Sequence, residues 1–323
     1  MNQLLFICIS LFFLVQTDYK IGDEISKPEL NGTSFYDIRD FKIEDEKIYI
    51  ADFRGLNVYA FNLSGELIGK SGGEGRGPGE FVHGPRIITP AEDRVYAIGM
   101  MPFFYVYDSS LTYLKHEYFI NNPINSYDMH FWDNKLFIAL TQFYEEELIV
   151  YDLEKGSQES VFLDFELQPG LLAEYNMFSI GSYWLFAWNY QNKFRLYDKH
   201  FNLKREFSID GIPKIADGIN NELRMIPNEA TSHRQKVYSL GTFMPMGTFF
   251  RGFVVLSEDH FLVQLGTQTG GSNLAKILDV SGNVVQEITL PQRGKVLGYS
   301  QSEGALYMLN QEETNVVAYE FYE

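Results

Sequence analysis

Ile48-Tyr49-Ile50-Ala51-Asp52, followed after a short polar turn by Val58-Tyr59-Ala60-Phe61-Asn62, decides the fold of this chain. Both runs alternate apolar side chains at period two and are rich in Val, Ile, Tyr and Phe, the signal of a strand. The pair returns five more times. Its first runs are Val95-Tyr96-Ala97-Ile98, Leu136-Phe137-Ile138-Ala139-Leu140, Trp184-Leu185-Phe186-Ala187-Trp188, Phe261-Leu262-Val263-Gln264-Leu265 and Leu306-Tyr307-Met308-Leu309. Its second runs end in a Tyr-Asp-like pair: Tyr105-Val106-Tyr107-Asp108, Ile149-Val150-Tyr151-Asp152, Phe194-Arg195-Leu196-Tyr197-Asp198, Lys276-Ile277-Leu278-Asp279 and Val317-Ala318-Tyr319-Glu320. The mean step is about fifty residues, a spacing of solenoids and propellers.

A lone four-stranded sheet cannot bury both faces, whereas radial stacking covers each face with a neighbour and leaves short edges. The pattern therefore predicts an all-β, six-bladed propeller of four-stranded antiparallel blades spanning 18–323. In the first blade, strands A to D are expected at Asp37–Ile43, Lys47–Asp52, Asn57–Phe61 and Glu66–Lys70. The last blade lacks room for an outer strand before Glu323. An open edge invites aggregation, so a strand drawn from Ile21–Leu30 is expected to complete that blade and tie the termini together. Ile209–Phe250 does not fit the repeat and reads as an insertion between blades 4 and 5. It holds Arg224, His233, Arg234 and Lys236 in an otherwise acidic chain, as a lid, a docking surface or a plain surface excursion would.

Hydrophobic residues make up 45% of the 323 and aromatics 16%, a composition that buries a large core and excludes disorder. The formal net charge of −17 repels phosphate backbones and anionic membranes. Partners are expected to be a protein or a small neutral or cationic ligand, with no nucleic acid. Leu4–Val15 is a twelve-residue, uncharged, mainly apolar stretch, too short to span a bilayer and suited to an export leader, with cleavage after Thr17. Residues 1–17 are accordingly read as a signal peptide, and the propeller as periplasmic or extracellular, or membrane-tethered if the leader is retained. Cys8, the single cysteine, lies in that leader, so the remainder has no thiol chemistry.

Phe41–Asp52 and Val58–Leu67 resemble the strand–turn–strand core of NHL-type repeats, and Gly75-Arg76-Gly77-Pro78-Gly79-Glu80-Phe81, followed by Pro85, resembles that family's inter-blade connector. The later junctions have lost this motif. The whole is similar to NHL-like or TolB-like six-bladed propellers of exported bacterial proteins. The resemblance implies six blades and a binding face. It names no chemistry, because propellers host unrelated functions.

In such a ring the B–C loops and D–A connectors gather on one face around the axis, and the long ones here favour that face for function. Arg54, Arg86, Tyr127, Trp188, Asn189 and Arg251 fall there and form the candidate binding set, since arginine beside an aromatic clamps a ligand by hydrogen bonds or stacking. An ion pair between blades is the competing use of each arginine. Gly72–Gly77 would suit an anion through its N–H groups or simply a tight connector. No H-E-x-x-H or calcium-loop spacing is present. The leading expectation is thus a non-catalytic binding or scaffold propeller without a cofactor. The alternative is a metal-assisted hydrolase or lactonase with an axial calcium or zinc, for which Asp37, Asp128 and Asn189 are the candidate ligands.

Overall fold

A computed structural model describes residues 18–101, 103–118, 126–140, 148–163, 175–188, 192–210, 250–267 and 270–323. Six four-stranded antiparallel sheets stand around one axis. Blade 1 is Ile38–Glu44, Lys47–Asp52, Asn57–Asn62 and Leu67–Gly72, within two residues of the predicted strands. Blade 2 is Ile87–Ala91, Arg94–Ile98, Phe103–Asp108 and Tyr113–Tyr118, and blade 3 is Ser126–Trp132, Lys135–Leu140, Leu148–Asp152 and Ser157–Val161. Blade 4 is Tyr175–Ile180, Tyr183–Trp188, Phe194–Asp198 and Leu203–Phe207. Blade 5 is Phe250–Val255, His260–Thr267, Gly270–Asp279 and Val284–Thr289. Blade 6 is Val296–Ser300, Ala305–Leu309 and Val316–Tyr322, completed by Lys20–Ile25. The proposed leader and nearly all of the 209–250 insertion lie outside the described residues.

The closing strand is shorter than the predicted Ile21–Leu30. It pairs Lys20 with Tyr322 and Ile25 with Ala318, then yields to a short helix, Pro28–Gly32, with proline in its first turn. That helix buries Leu30 between blades 6 and 1. Lys27 just before it is 3% exposed, and its ammonium bonds Glu303 of blade 6 at 2.9 Å and the Leu63 carbonyl of blade 1. Residues before the first blade thus bolt the two ends of the ring at three points: strand, helix and buried ion pair.

Blade faces meet in six apolar clusters, and large side chains oppose small ones. Ala51, Val58 and Ala60 of blade 1 receive Tyr105, Tyr107 and Phe81, whereas the other face of blade 1 presents Ile48, Ile50, Tyr59 and Phe61 to Ala305 and Ala318 of blade 6. This complementarity lets sheets pack to interior density. B and C strands are buried on both faces, and the D strands are largely exposed.

The recurring acidic residue that closes each second run has a structural use. Asp108, Asp198 and Asp279 each accept N–H bonds from residues two and four positions on, at 2.8–2.9 Å, and so tie the C–D turn. Asn62 does likewise with the Glu66 N–H. Each of these turns puts its fourth residue in the left-handed region: Gly65 and Gly282, but also Leu111 and Phe201. The two bulky residues are held there because their side chains pack between blades.

Polar side chains on the two innermost strands sew neighbouring blades together. Asp40 accepts the Ile88 N–H at 2.9 Å, Asp128 the Met177 N–H at 3.0 Å, and Gln264 the Val296 N–H at 2.9 Å. The Thr89 hydroxyl donates to the Met129 carbonyl at 2.7 Å. Four of the six blade-to-blade steps at the axis are thereby fixed.

Candidate binding site on the propeller axis

The inner strands of blades 1, 3, 5 and 6 each carry a β-bulge near their start. The extra residues are Arg39, Tyr127, Arg251 and Leu297. A bulge bends the strand and re-aims its side chains. Beyond each bulge, period two resumes and points alternate residues at the axis. In blade 1 these are Asp40 and Lys42; in blade 3 they are Asp128 and His130.

These four side chains form the floor of the site. The Lys42 ammonium lies 3.1 Å from Asp128 and 3.6 Å from Asp40. Asp128 is saturated: one oxygen takes Lys42 and its neighbour's Met129 N–H, the other takes the His130 ring nitrogen at 3.1 Å and the Met177 N–H. Burial alone would lower the lysine, but the two carboxylates outweigh it and push it up to about 12. Burial also opposes ionisation of Asp128, yet Lys42 and His130 carry its carboxyl below the usual range. Asp40 goes the other way, raised by burial with Asp128 adding to the rise. One lysine therefore serves two carboxylates unequally and favours Asp128.

Above this floor the cations predominate. A cavity of about 120 Å³ is lined by Asp40, Lys42, Asp128, Asn176, Arg251 and Lys295, with Arg39 at its edge. Lys295 precedes the inner strand of blade 6 and makes no ion pair among the described residues. Burial pushes its ammonium below the usual lysine range; Asp40 and Asp128 oppose the shift, and Arg251 and Arg39 add to it. Arg251 is lowered by burial too, and its Nε has no hydrogen-bond partner. Its outer nitrogen meets the carboxylate of Glu313, which reaches in from the B–C loop of blade 6. Arg39 is held at the rim by Asp37, 2.9 Å away, and by the Phe53 ring.

The residues singled out from sequence are distributed as follows. Arg251 lines the cavity. Arg54 stands at the rim, 74% exposed and 3.5 Å from Asp37. Arg86 precedes the inner strand of blade 2, half-buried, its N–H donating to the Ile98 carbonyl. Tyr127 occupies the bulge of blade 3. Trp188 is 2% exposed in the core between blades 3 and 4, with Lys193 and Arg195 beside its ring. Asn189 lies outside the described residues. Of the candidate metal ligands, Asp37 binds Arg39 and Arg54 at the rim, while Asp128 binds Lys42 and His130 at the floor. Among the described residues, no group of three His, Cys, Asp or Glu side chains is arranged to hold a metal. Lys42 fills the position a metal bridging Asp40 and Asp128 would take. Asp40, Lys42, His130 and Lys295 were not among the candidates, although charged residues spaced by two inside an innermost strand carry the signal.

The glycine-rich connector serves itself. Glu80 turns back to accept the Gly77 N–H at 2.7 Å, and a side chain at Gly75 would sit 1.8 Å from the same carboxylate oxygen. The cradle is occupied from within, and a side chain at either glycine would push the Glu80 carboxylate aside. The connector and the outer strands of blade 2 also enclose a larger groove, about 600 Å³, bordered by Arg76, His83, Phe103, Tyr113, His116 and Tyr118.

The fold and its charged axis define a six-bladed β-propeller with a solvent-reachable central cavity. The chain belongs to the DUF5128 family of six-bladed β-propellers, whose model matches residues 33–238. No curated protein matches it in sequence. Among solved structures it is similar in fold to a Bacteroides fragilis protein designated as exported, at 12% identity and TM-score 0.61 over 94% of both chains. It is also similar to a DUF4221-family member from Bacteroides vulgatus (8% identity, TM-score 0.57, 95% of this chain and 99% of that one). The WD40 domain of Neurospora crassa Pan2 is a further match (11% identity, TM-score 0.54, 94% of this chain and 96% of that one).

Proposed function

We propose that this chain is an exported, non-catalytic propeller of the NHL-like or TolB-like kind that binds a ligand in its axial cavity from the face bearing the B–C loops. The observation that carries this reading is Lys295. An ammonium buried at the axis with no carboxylate in direct contact among the described residues costs stability, and groups kept at such a cost mark functional sites. The bulges that aim Arg39 and Arg251 at the same opening support it. Export is supported by the uncharged apolar stretch at Leu4–Val15 and by the likeness to an exported Bacteroides protein. The −17 net charge speaks against nucleic acid.

The hydrolase alternative needs a cation where Lys42 already sits, and Asp128 has no lone pair left for it. Two measurements test the reading. Crystals of the full chain soaked with a small-molecule fragment set are expected to hold density beside Arg251 and Lys295; occupancy confined to other surfaces refutes the axial site. Elemental analysis that finds stoichiometric calcium bound after purification would favour the enzyme instead.

A further inference from the structure

We infer that the axial cavity takes a carboxylate, held between Lys295 and Arg251, and that Glu313 is its built-in substitute in the empty protein. This rests on the axial reading above and narrows it to one ligand chemistry, in place of the neutral or cationic ligand that net charge alone suggests.

Three observations converge. First, the cavity has four cationic side chains, Arg39, Lys42, Arg251 and Lys295, against two carboxylates, Asp40 and Asp128, in a chain that is strongly acidic overall. Both carboxylates are committed to Lys42 and to backbone N–H groups. Lys295 is left over. Second, the Arg251 guanidinium already holds a carboxylate, which fixes the chemistry the fork accepts. That carboxylate comes from Glu313, half-exposed on a loop of blade 6 and placed in the left-handed backbone region. The loop is self-supporting: Asn310 accepts the Thr314 and Asn315 N–H groups, so Glu313 can swing out without unravelling it. Third, the cavity volume of about 120 Å³ admits a carboxylate head with a water or two and leaves the remainder of a larger ligand at the mouth.

Displacement then proceeds by exchange. An incoming carboxylate takes Arg251 from Glu313, and its second oxygen reaches Lys295. Arg251 keeps a counter-ion throughout, and Lys295 gains the one it lacked. The new negative charge also restores Lys295 toward an ordinary lysine. Binding should therefore take up protons wherever Lys295 is partly neutral in the empty protein. The charged groups that face Lys295 are Asp40, Asp128, Arg39 and Arg251.

The test is titration calorimetry of the full chain at low ionic strength with succinate, citrate, inorganic phosphate and the neutral succinamide. Succinate and citrate are expected to bind and succinamide not. Lys295→Met and Arg251→Gln should each weaken binding at least tenfold, Lys295→Arg should retain it, and Glu313→Gln should tighten it severalfold. Lys295→Met should melt no lower than the parent, because it removes an uncompensated charge, so loss of binding cannot be ascribed to misfolding. Binding in buffers of different ionisation enthalpy should report proton uptake in the parent and none in Lys295→Met. Carboxylate affinity unchanged in both Lys295→Met and Arg251→Gln overturns the inference, as does preference for phosphate. If soaked crystals hold neutral fragments at the axis while no carboxylate binds even to Glu313→Gln, this inference falls and the axial site stands. If nothing occupies the axis, both fall.

Discussion

Replacing Tyr19 by alanine tests whether the amino-terminal strand carries the stability of the ring. Tyr19 is 5% exposed, stacked on Phe321 of the last strand at 5.7 Å and edge-on to His260 of blade 5 at 6.0 Å. Its backbone N–H and carbonyl are both bonded to the Gln286 amide, at 2.7 and 2.8 Å. The residue therefore spans blades 5 and 6 while starting the strand that completes blade 6. Truncating a buried aromatic costs about 3–5 kcal/mol. The lower end applies here, since the site lies near the rim where water can refill part of the space. At about 2–3 °C per kcal/mol for a chain of this size, a loss near 3 kcal/mol lowers the melting point by roughly 6–9 °C. Tyr19→Phe keeps the ring and should stay within about 1 kcal/mol of the parent. Differential scanning calorimetry on the three proteins decides. A melting point for Tyr19→Ala within a degree of the parent would refute the claim that this end clamps the ring. Deleting residues 18–30 should lower it much further.

Other perturbations probe the remaining joints. Lys27→Met leaves Glu303 without its partner and should cost about 3 kcal/mol in urea denaturation; adding Glu303→Gln should recover much of it. At the axis, Asp128→Asn should destabilise by about 3 kcal/mol and Asp40→Asn by far less, because Asp128 is the favoured partner of Lys42. The pH dependences oppose each other. The depressed Asp128 carboxyl stabilises above the ordinary carboxylate range and loses that contribution as pH falls through its lowered value; the raised Asp40 carboxyl is a cost at neutral pH that acidification relieves. Equal losses in the two variants would contradict this division. Gly75→Ala should dislodge Glu80 and cost about 1–3 kcal/mol by thermal melting.

Lys199 offers a separate pH signature. Burial against Trp184 and Trp132 lowers it to about 8. Its folded value lies below its unfolded one, so the cost of holding it charged is fully present below pH 8. That cost is relieved as pH rises toward the ordinary lysine value near 10.4. The parent should gain stability relative to Lys199→Met across that window, and parallel curves for the two would exclude the effect.

The architecture was readable in the sequence because burial on both faces demands the repeated apolar alternation, and each Asp-terminated run announces its turn. The closing strand was read too long. Pro28 ends extended backbone and starts a helical turn, and the apolar Leu30 fits either use. In blade 5 the glycine-rich stretch between the second and third strands is mostly paired, with Gly266 opposite Gly271 and Thr267 opposite Gly270. Glycines there suggest a loop, but the backbone pairing of the hairpin runs on through them. Of the floor of the axial site only Asp128 was singled out, because the Asp40–Lys42 and Asp128–His130 pairs lie 86 or more residues apart on two blades. Only closure of the wheel makes them neighbours. Trp188 drew attention as an aromatic at a loop, whereas the strand continues through it and turns it inward.

The pairing of Lys20–Ile25 with Val316–Tyr322 also sets a timetable. Lys20–Ile25 leaves the ribosome before any blade strand and must wait for Val316–Tyr322 before it finds its mate. Blades 1 to 5 can assemble as they emerge, but the circle has no seal until the terminal strand arrives. A prematurely terminated product would keep a raw sheet margin with two unmatched neighbours and would be exposed to proteases. Arrival of Val316–Tyr322 is thereby made a condition of durability, with no separate inspector required.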